Sequence, residues 1–256
     1  MNALCLAIGT FTILPARMPT RVDRATARGA MLLAPLMGIL LGAIAALVLW
    51  AVCSVTDAAY GNLLGAVLAV ALLAYLTRAL HLDGLADTAD ALGSGRRGDG
   101  ALEIARRGDV GPFGVVTLVL VLLIQATALA VASDAGWGAL TVIVAVVTGR
   151  LAAVVACTRG IPAASPEGLG ALVAGTVPRT AALAWVAGVL VLAAAAGAWL
   201  TGVAWAPALA VIAGLSLALG LVARSAGRLG GINGDVLGAA IEVATSTVLV
   251  VLAVVA

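Results

Sequence analysis

The chain has 256 residues, of which 63% are hydrophobic and only 10% charged, with a formal net charge of +2. With a mean hydropathy of +1.20, this composition excludes an ordinary soluble domain and points to a membrane protein. Cys5, Cys53 and Cys157 are scattered in apolar contexts without pairing or metal-ligand spacing, so they carry no redox or zinc signature.

In chain order, Met1–Leu14 is apolar but too short to cross a bilayer comfortably, and it lacks the basic start and cleavage pattern of a signal peptide. Pro15 and Pro19 interrupt it; it reads as a partly inserted or surface-lying segment. A basic stretch with Arg17, Arg21, Arg24 and Arg28 comes next. Apolar runs then predict spans at about 29–52, 61–80, 113–133, 139–157, 180–200, 203–223 and 236–256. The expected fold is an all-α, polytopic integral membrane protein of about seven transmembrane helices, with residues 1–256 forming a single membrane-embedded domain.

Charge placement orients it. All 14 basic residues are Arg. An inside N-terminus makes 1–28, 81–112, 158–179 and 224–235 the cytoplasmic segments, and these segments, or span ends touching them, hold every arginine. The opposite loops, around Asp57, Asp134 and Thr201-Gly202, hold none. The positive-inside rule therefore predicts a cytoplasmic N-terminus and an outside C-terminus, with chemistry on the cytoplasmic side.

The longest cytoplasmic segment, 81–112, opens with His81-Leu-Asp-Gly-Leu-Ala-Asp-Thr-Ala-Asp90. At about 100° per residue, a helix there sets Asp87 roughly 40° and Asp90 roughly −20° from Asp83, so the three carboxylates share one face. Like charges at this spacing repel, which calls for a cation against that face; the plainer reading is a solvated acidic surface. Gly93-Ser-Gly-Arg-Arg-Gly-Asp-Gly100 reads as a mobile loop, Ala101–Arg107 as a short helix, and Gly108–Gly114 as a turn into the next span. Arg96, Arg97, Arg106 and Arg107 suit phosphate clamping or simple topology determination. Gly230-Gly-Ile-Asn-Gly-Asp-Val-Leu-Gly238 opens the last span. There Asn233 or Asp235 either caps the helix or approaches a phosphate–metal unit. Glu242, seven residues past Asp235, falls on the same face inside an apolar segment. A carboxylate there costs about 2.5–3.5 kcal/mol or more, so it is functional or paired, with Arg150 the candidate partner. The lone His81 suits hydrogen bonding at the interface or proton transfer.

Clustered aspartates, arginines and a glycine-rich loop on one side suit metal-assisted attack on a pyrophosphate. No P-loop, Rossmann glycine motif, zinc cluster or nucleophilic serine elbow is present. The residues alone thus reach a membrane-bound transferase acting on a diphosphate.

His81–Asp90 resembles the signature of the cobalamin synthase family, the adenosylcobinamide-GDP ribazoletransferases. Phe11-Thr-Ile-Leu-Pro15, Ala34-Pro-Leu-Met-Gly38, Arg106-Arg-Gly-Asp-Val-Gly-Pro-Phe-Gly114 and Gly230–Ala239 resemble further family segments. The chain departs from the common pattern at Arg107-Gly108-Asp109 and at Asn233, where many relatives carry Asp-Ser-Arg and Thr. The resemblance implies a late step of vitamin B12 assembly. A ribose hydroxyl of α-ribazole, or of its 5′-phosphate, would attack the cobinamide-linked phosphate of adenosylcobinamide-GDP and release GMP, with Mg²⁺ as cofactor. Asp83 and Asp87 are the expected metal ligands, with Asp90 a third ligand or the base; His81 is counted among the catalytic groups. Asp235 would complete the metal or phosphate site. Arg106, Arg107, Asn233, Arg150 and Glu242 are the expected substrate-binding residues. The expected setting is the bacterial plasma (inner) membrane, multi-pass, with lipids and the two small substrates as partners and no nucleic acid; homo-oligomerisation is left open.

Three other classes fit less well. Phosphotransferases acting on CDP-activated alcohols use a glycine–arginine spacing between aspartates that is missing here. An ion-coupled transporter would place carboxylates mid-membrane on broken, repeated helices. A structural subunit would leave the triple-aspartate face unexplained.

Overall fold

The computed structural model describes residues 2–17, 19–56, 58–98, 100, 102–103 and 109–256. The expected phosphate clamp at Arg106 and Arg107, and most of the short helix expected at Ala101–Arg107, lie outside these residues. Among the described residues the chain forms ten helices: α1 (Asn2–Phe11), α2 (Arg24–Val55), α3 (Ala58–Leu76), α4 (Leu80–Gly93), α5 (Pro112–Asp134), α6 (Gly138–Ala156), α7 (Gly168–Val173), α8 (Arg179–Thr201), α9 (Trp205–Leu229) and α10 (Gly234–Val255). The all-α expectation holds; β-structure among the described residues is limited to two isolated bridges.

Six helices, α2, α5, α6, α8, α9 and α10, are each long and apolar enough to cross a membrane. The seventh expected crossing is different: α3 and α4 pass that test as a pair bent by 88°. The 19 residues of α3 rise about 28 Å, close to the hydrocarbon thickness of about 30 Å. We therefore take α3 as the crossing and α4, with its three aspartates, as turned away across its end. The bend falls on Arg78 and Ala79, two successive non-glycine residues with φ of 54°. Left-handed backbone at such residues costs about 1–2 kcal/mol each, so surrounding contacts must hold it. Arg78 Nη2 donates to Gly9 O at 2.6 Å, and Ile13 N donates to Leu76 O at 2.6 Å, tying the turn to α1 and the residues just after it.

The bundle is organised around α6, 83% of whose apolar window is buried, against 22% for α8. Small residues allow the close crossings that membrane helices use in place of hydrophobic expulsion from water. A Cβ on Gly38 would stand 2.9 Å from Val147 Cα, and one on Gly42 2.9 Å from Ile143 Cα, so α2 and α6 touch backbone to backbone.

The end of the bundle that carries α4 is stitched by loops. After α6 the chain runs out and returns beside itself, with Arg159 N donating to Val177 O at 3.1 Å and Val177 N to Cys157 O at 3.0 Å. This segment grips the glycine-rich turn before α10: Ala164 N donates to Ile232 O and Ile232 N to Pro162 O, both at 2.9 Å. Arg24 clasps the carbonyls of Ala171 and Ala174 at the end of α7. The glycine-rich run after α4, expected to be mobile, is held at its described part. Arg228 Nη1 donates to Gly95 O at 3.2 Å and Arg96 O at 3.3 Å, and Gly98 N donates to Arg228 O at 2.8 Å.

Candidate active site

The expected helix forms: Asp83, Asp87 and Asp90 lie on α4, as does His81. Two glycines set that helix against the start of α10. A Cβ on Gly84 would lie 2.7 Å from Asp235 O and 2.8 Å from Asp235 Cα, and one on Gly238 would lie 3.1 Å from His81 Cα. Any side chain at either position would push the helices apart. Glycine there is what brings Asp235 beside the α4 aspartates.

The three aspartates of α4 then have different surroundings. Asp83 is exposed, Asp87 half-buried and Asp90 buried. Burial, followed by the neighbouring carboxylates of Asp235, Asp83 and Asp90, pushes the Asp87 carboxyl up to about 7. Asp90 instead accepts backbone N–H groups with both oxygens, from Gly111 at 2.8 Å and Gly114 at 3.0 Å. It sits at the N-terminus of α5, where orphan N–H groups and the helix dipole favour a carboxylate. Gly111 and Gly114 leave room for it, since a Cβ on either would meet Asp90 oxygens at 2.5 Å. Asp90 is thus engaged in joining α4 to α5.

Asn233 is the N-cap of α10, accepting from Val236 N at 3.0 Å. Its Nδ2 also donates to Asp235 Oδ2 at 2.7 Å, so capping and aiming of the carboxylate are done by one side chain. Asp83, Asp235 and His81 line a pocket of about 150 Å³ floored by Phe11 and Ile241. Among the described residues no arginine is paired with Asp83, Asp87 or Asp235. No three His, Cys, Asp or Glu side chains among them converge as a ready-made metal cage.

Arg150 and Glu242 are placed apart from this pocket. They line a separate chamber of about 20 Å³ between α3, α4, α5, α6 and α10, whereas the expectation had them binding substrate. Nor do they form a direct ion pair; Glu242 instead accepts from Gln125 Nε2 at 2.7 Å. Gln125 was missed from the sequence. The signal was present: it is the only glutamine in the chain and lies within the apolar run of α5, where polar groups are costly.

The arrangement can hold a hard cation and a phosphate chain: carboxylate oxygens without cationic partners, beside a helix N-terminus at a glycine-rich turn. A family model described as cobalamin-5-phosphate synthase matches residues 3–253. Among curated proteins, the chain is 44% identical to an adenosylcobinamide-GDP ribazoletransferase of Frankia casuarinae, over 96% of this chain and 92% of that one. It is 42% identical to the enzyme of the same name from a Nocardioides species, over 97% and 96%, and 39% identical to that from Pseudomonas putida, over 97% of each. No solved structure matches it. A match along nearly the whole length, spanning the segments that build the α4–α10 site, places the chain in the cobalamin-5-phosphate synthase family.

Proposed function

We propose that this chain transfers the cobinamide-phosphate group of adenosylcobinamide-GDP to α-ribazole or its 5′-phosphate, releasing GMP. It does so as a multi-pass protein of the bacterial plasma membrane, with the pocket facing the cytoplasm, an orientation that the arginine distribution supports. The observation that carries the reading is the α4–α10 crossing at Gly84, which sets Asp235 beside Asp83 and Asp87. The enzyme name shared by its relatives gives the substrates.

The donor set fits Mg²⁺. Burial, and after it the neighbouring carboxylates of Asp235, Asp83 and Asp90, raises Asp87, with no arginine among the described residues paired to it. Mg²⁺ is typically held by one or two carboxylates plus substrate phosphates and water rather than by an all-protein cage. A ready-made triad is therefore not needed. Asp83, Asp87 and Asp235 would hold the ion, which supplies neutralisation of the charge developing on the diphosphate and the leaving GMP.

The protein's own residues do the rest. Asn233 holds one oxygen of Asp235 and leaves the other free, while the N-terminus of α10 presents positive dipole to the phosphates. Asp90 ties α4 to the start of α5 and so helps to hold the acidic face in place. In the reaction the ribose hydroxyl oxygen bonds to the cobinamide-linked phosphorus. The bridging P–O bond breaks, GMP departs with the electron pair, and the hydroxyl proton passes to a basic group lining the pocket. The test is GMP release by purified protein given Mg²⁺, adenosylcobinamide-GDP and α-ribazole. Release that depends on all three supports the reading; no GMP from folded protein with verified substrates overturns it.

A further inference from the structure

The chamber beneath the pocket holds polar groups that the proposed reaction leaves unused. Gln125 Nε2 donates to Glu242 Oε2 at 2.7 Å and to Ser246 Oγ at 3.0 Å. One oxygen of Glu242 is thus tied to α5, while the other, Oε1, lies 4.0 Å from His81 Nδ1. Three atoms around this carboxylate are buried without a hydrogen-bond partner: His81 Nδ1, Arg150 Nε and Thr245 Oγ1. Buried polar atoms are nearly always satisfied in folded proteins. The chamber shared by Arg150, Glu242, Gln125 and Thr245 measures about 20 Å³, room for one water, which would serve Arg150 Nε and Thr245 Oγ1. His81 Nδ1 is satisfied most simply by Glu242 itself, after an approach of about 1 Å.

His81 is also the only residue of this group that borders the pocket holding Asp83 and Asp235. Its backbone is fixed against Gly238, and its ring leans on Phe11 at a centroid distance of 6.4 Å. A neutral imidazole carries a proton on one nitrogen and accepts with the other, and the partner of the first decides which.

We propose that Glu242 is a positioning residue for His81: its carboxylate takes the Nδ1–H of the neutral ring and leaves Nε2 as an acceptor for the attacking hydroxyl in the pocket. Arg150, which shares the chamber, offsets the charge of Glu242, and Gln125 keeps the carboxylate turned. The inference rests on the transfer reaction proposed above for the choice of ligand, but the ring geometry does not.

The chain contains a single histidine, so ¹⁵N-histidine NMR of the full-length protein in lipid nanodiscs reads this ring alone. The expected result is the Nδ1–H tautomer in the unaltered protein. The double variant Arg150→Met/Glu242→Met removes the buried charges together, and in it the ring is expected to change to Nε2–H. The rate kcat for GMP release should then fall about 10–100-fold, the usual effect of losing an outer partner, with KM for adenosylcobinamide-GDP little changed. An Nε2–H ring in the unaltered protein overturns the proposal, and that measurement stands even where the variant does not fold. So does a folded double variant whose ring and kcat are both unchanged. A ring that responds as expected in a protein that releases no GMP supports the Glu242–His81 pairing and overturns the reaction instead.

Discussion

Asp235 and Glu242 stand seven residues apart on one helix, two turns of the same face, and they live in opposite electrostatic settings. Asp235 shares its pocket with Asp83 and is crowded by like charges, with an amide from Asn233 as its one hydrogen-bonded side-chain partner among the described residues. Glu242 shares a small chamber with a guanidinium and accepts from an amide that is itself buried. The first arrangement leaves charge for something outside the protein to neutralise. The second neutralises it within the bundle. A carboxylate in a membrane protein is therefore read by its companions rather than by its depth.

The largest effect that would separate the two settings is on turnover. Asp83→Asn and Asp87→Asn should each lower GMP release about 10²–10³-fold in folded protein, by the loss of charge stabilisation at the reacting phosphate. Normal rates in both variants would show that the open cluster is not a metal–phosphate site. Next is stability. Arg150→Met alone leaves Glu242 without its counter-charge and should destabilise the bundle by about 3–5 kcal/mol, whereas Arg150→Met/Glu242→Met should come close to the unaltered protein. Denaturant unfolding of the pair of variants checks this, and a double variant as weak as the single one would break the contrast.

A smaller effect is expected from the crossing itself. Gly84→Ala puts a methyl group against the Asp235 carbonyl at 2.7 Å. The strain, about 1–3 kcal/mol, should move α10 away and raise the Mg²⁺ concentration needed for half-maximal GMP release. An unchanged Mg²⁺ response would mean that the contact does not set the site.

The smallest effect is that of pH on the metal-free protein. The folded value of Asp87, about 7, lies above its ordinary 3.8, so the folded state holds this proton more tightly than the unfolded chain does. That contribution to stability is complete below about pH 4 and is lost as pH rises through about 7. Thermal unfolding should therefore occur at a higher temperature at about pH 6 than at about pH 8, with Mg²⁺ or Asp87→Asn shrinking the difference. A protein more stable at the higher pH would contradict the crowding of Asp87.

Much of this was legible from spacing. Three aspartates at helical intervals predicted one face, and the arginine count grouped the segments that the structure brings to one end. What sequence did not disclose was which carboxylate was already engaged. Asp90 has the same periodicity as its neighbours, and only the arrival of Gly111 and Gly114 from α5 makes it a helix cap. The α4 bend was equally hidden, because Arg78 and Ala79 carry no local preference for left-handed backbone. Its angle is imposed by contacts with α1 and the residues just after it. Gln125 was overlooked because a single amide in a long apolar run does not disturb hydropathy, although its cost in that setting was the clue.

The turn at Arg78 and Ala79 has a mechanical consequence. A flexible linker would let α3 tilt without disturbing α4. This one is short, locked to the N-terminal segment by two hydrogen bonds, and continuous with a helix seated on Gly84 and Gly238. Helices adjust their tilt to the thickness of the surrounding bilayer, so a tilt of α3 is passed through this turn to the acidic helix. The lipid environment thereby gains a lever on the spacing between Asp83 and Asp235.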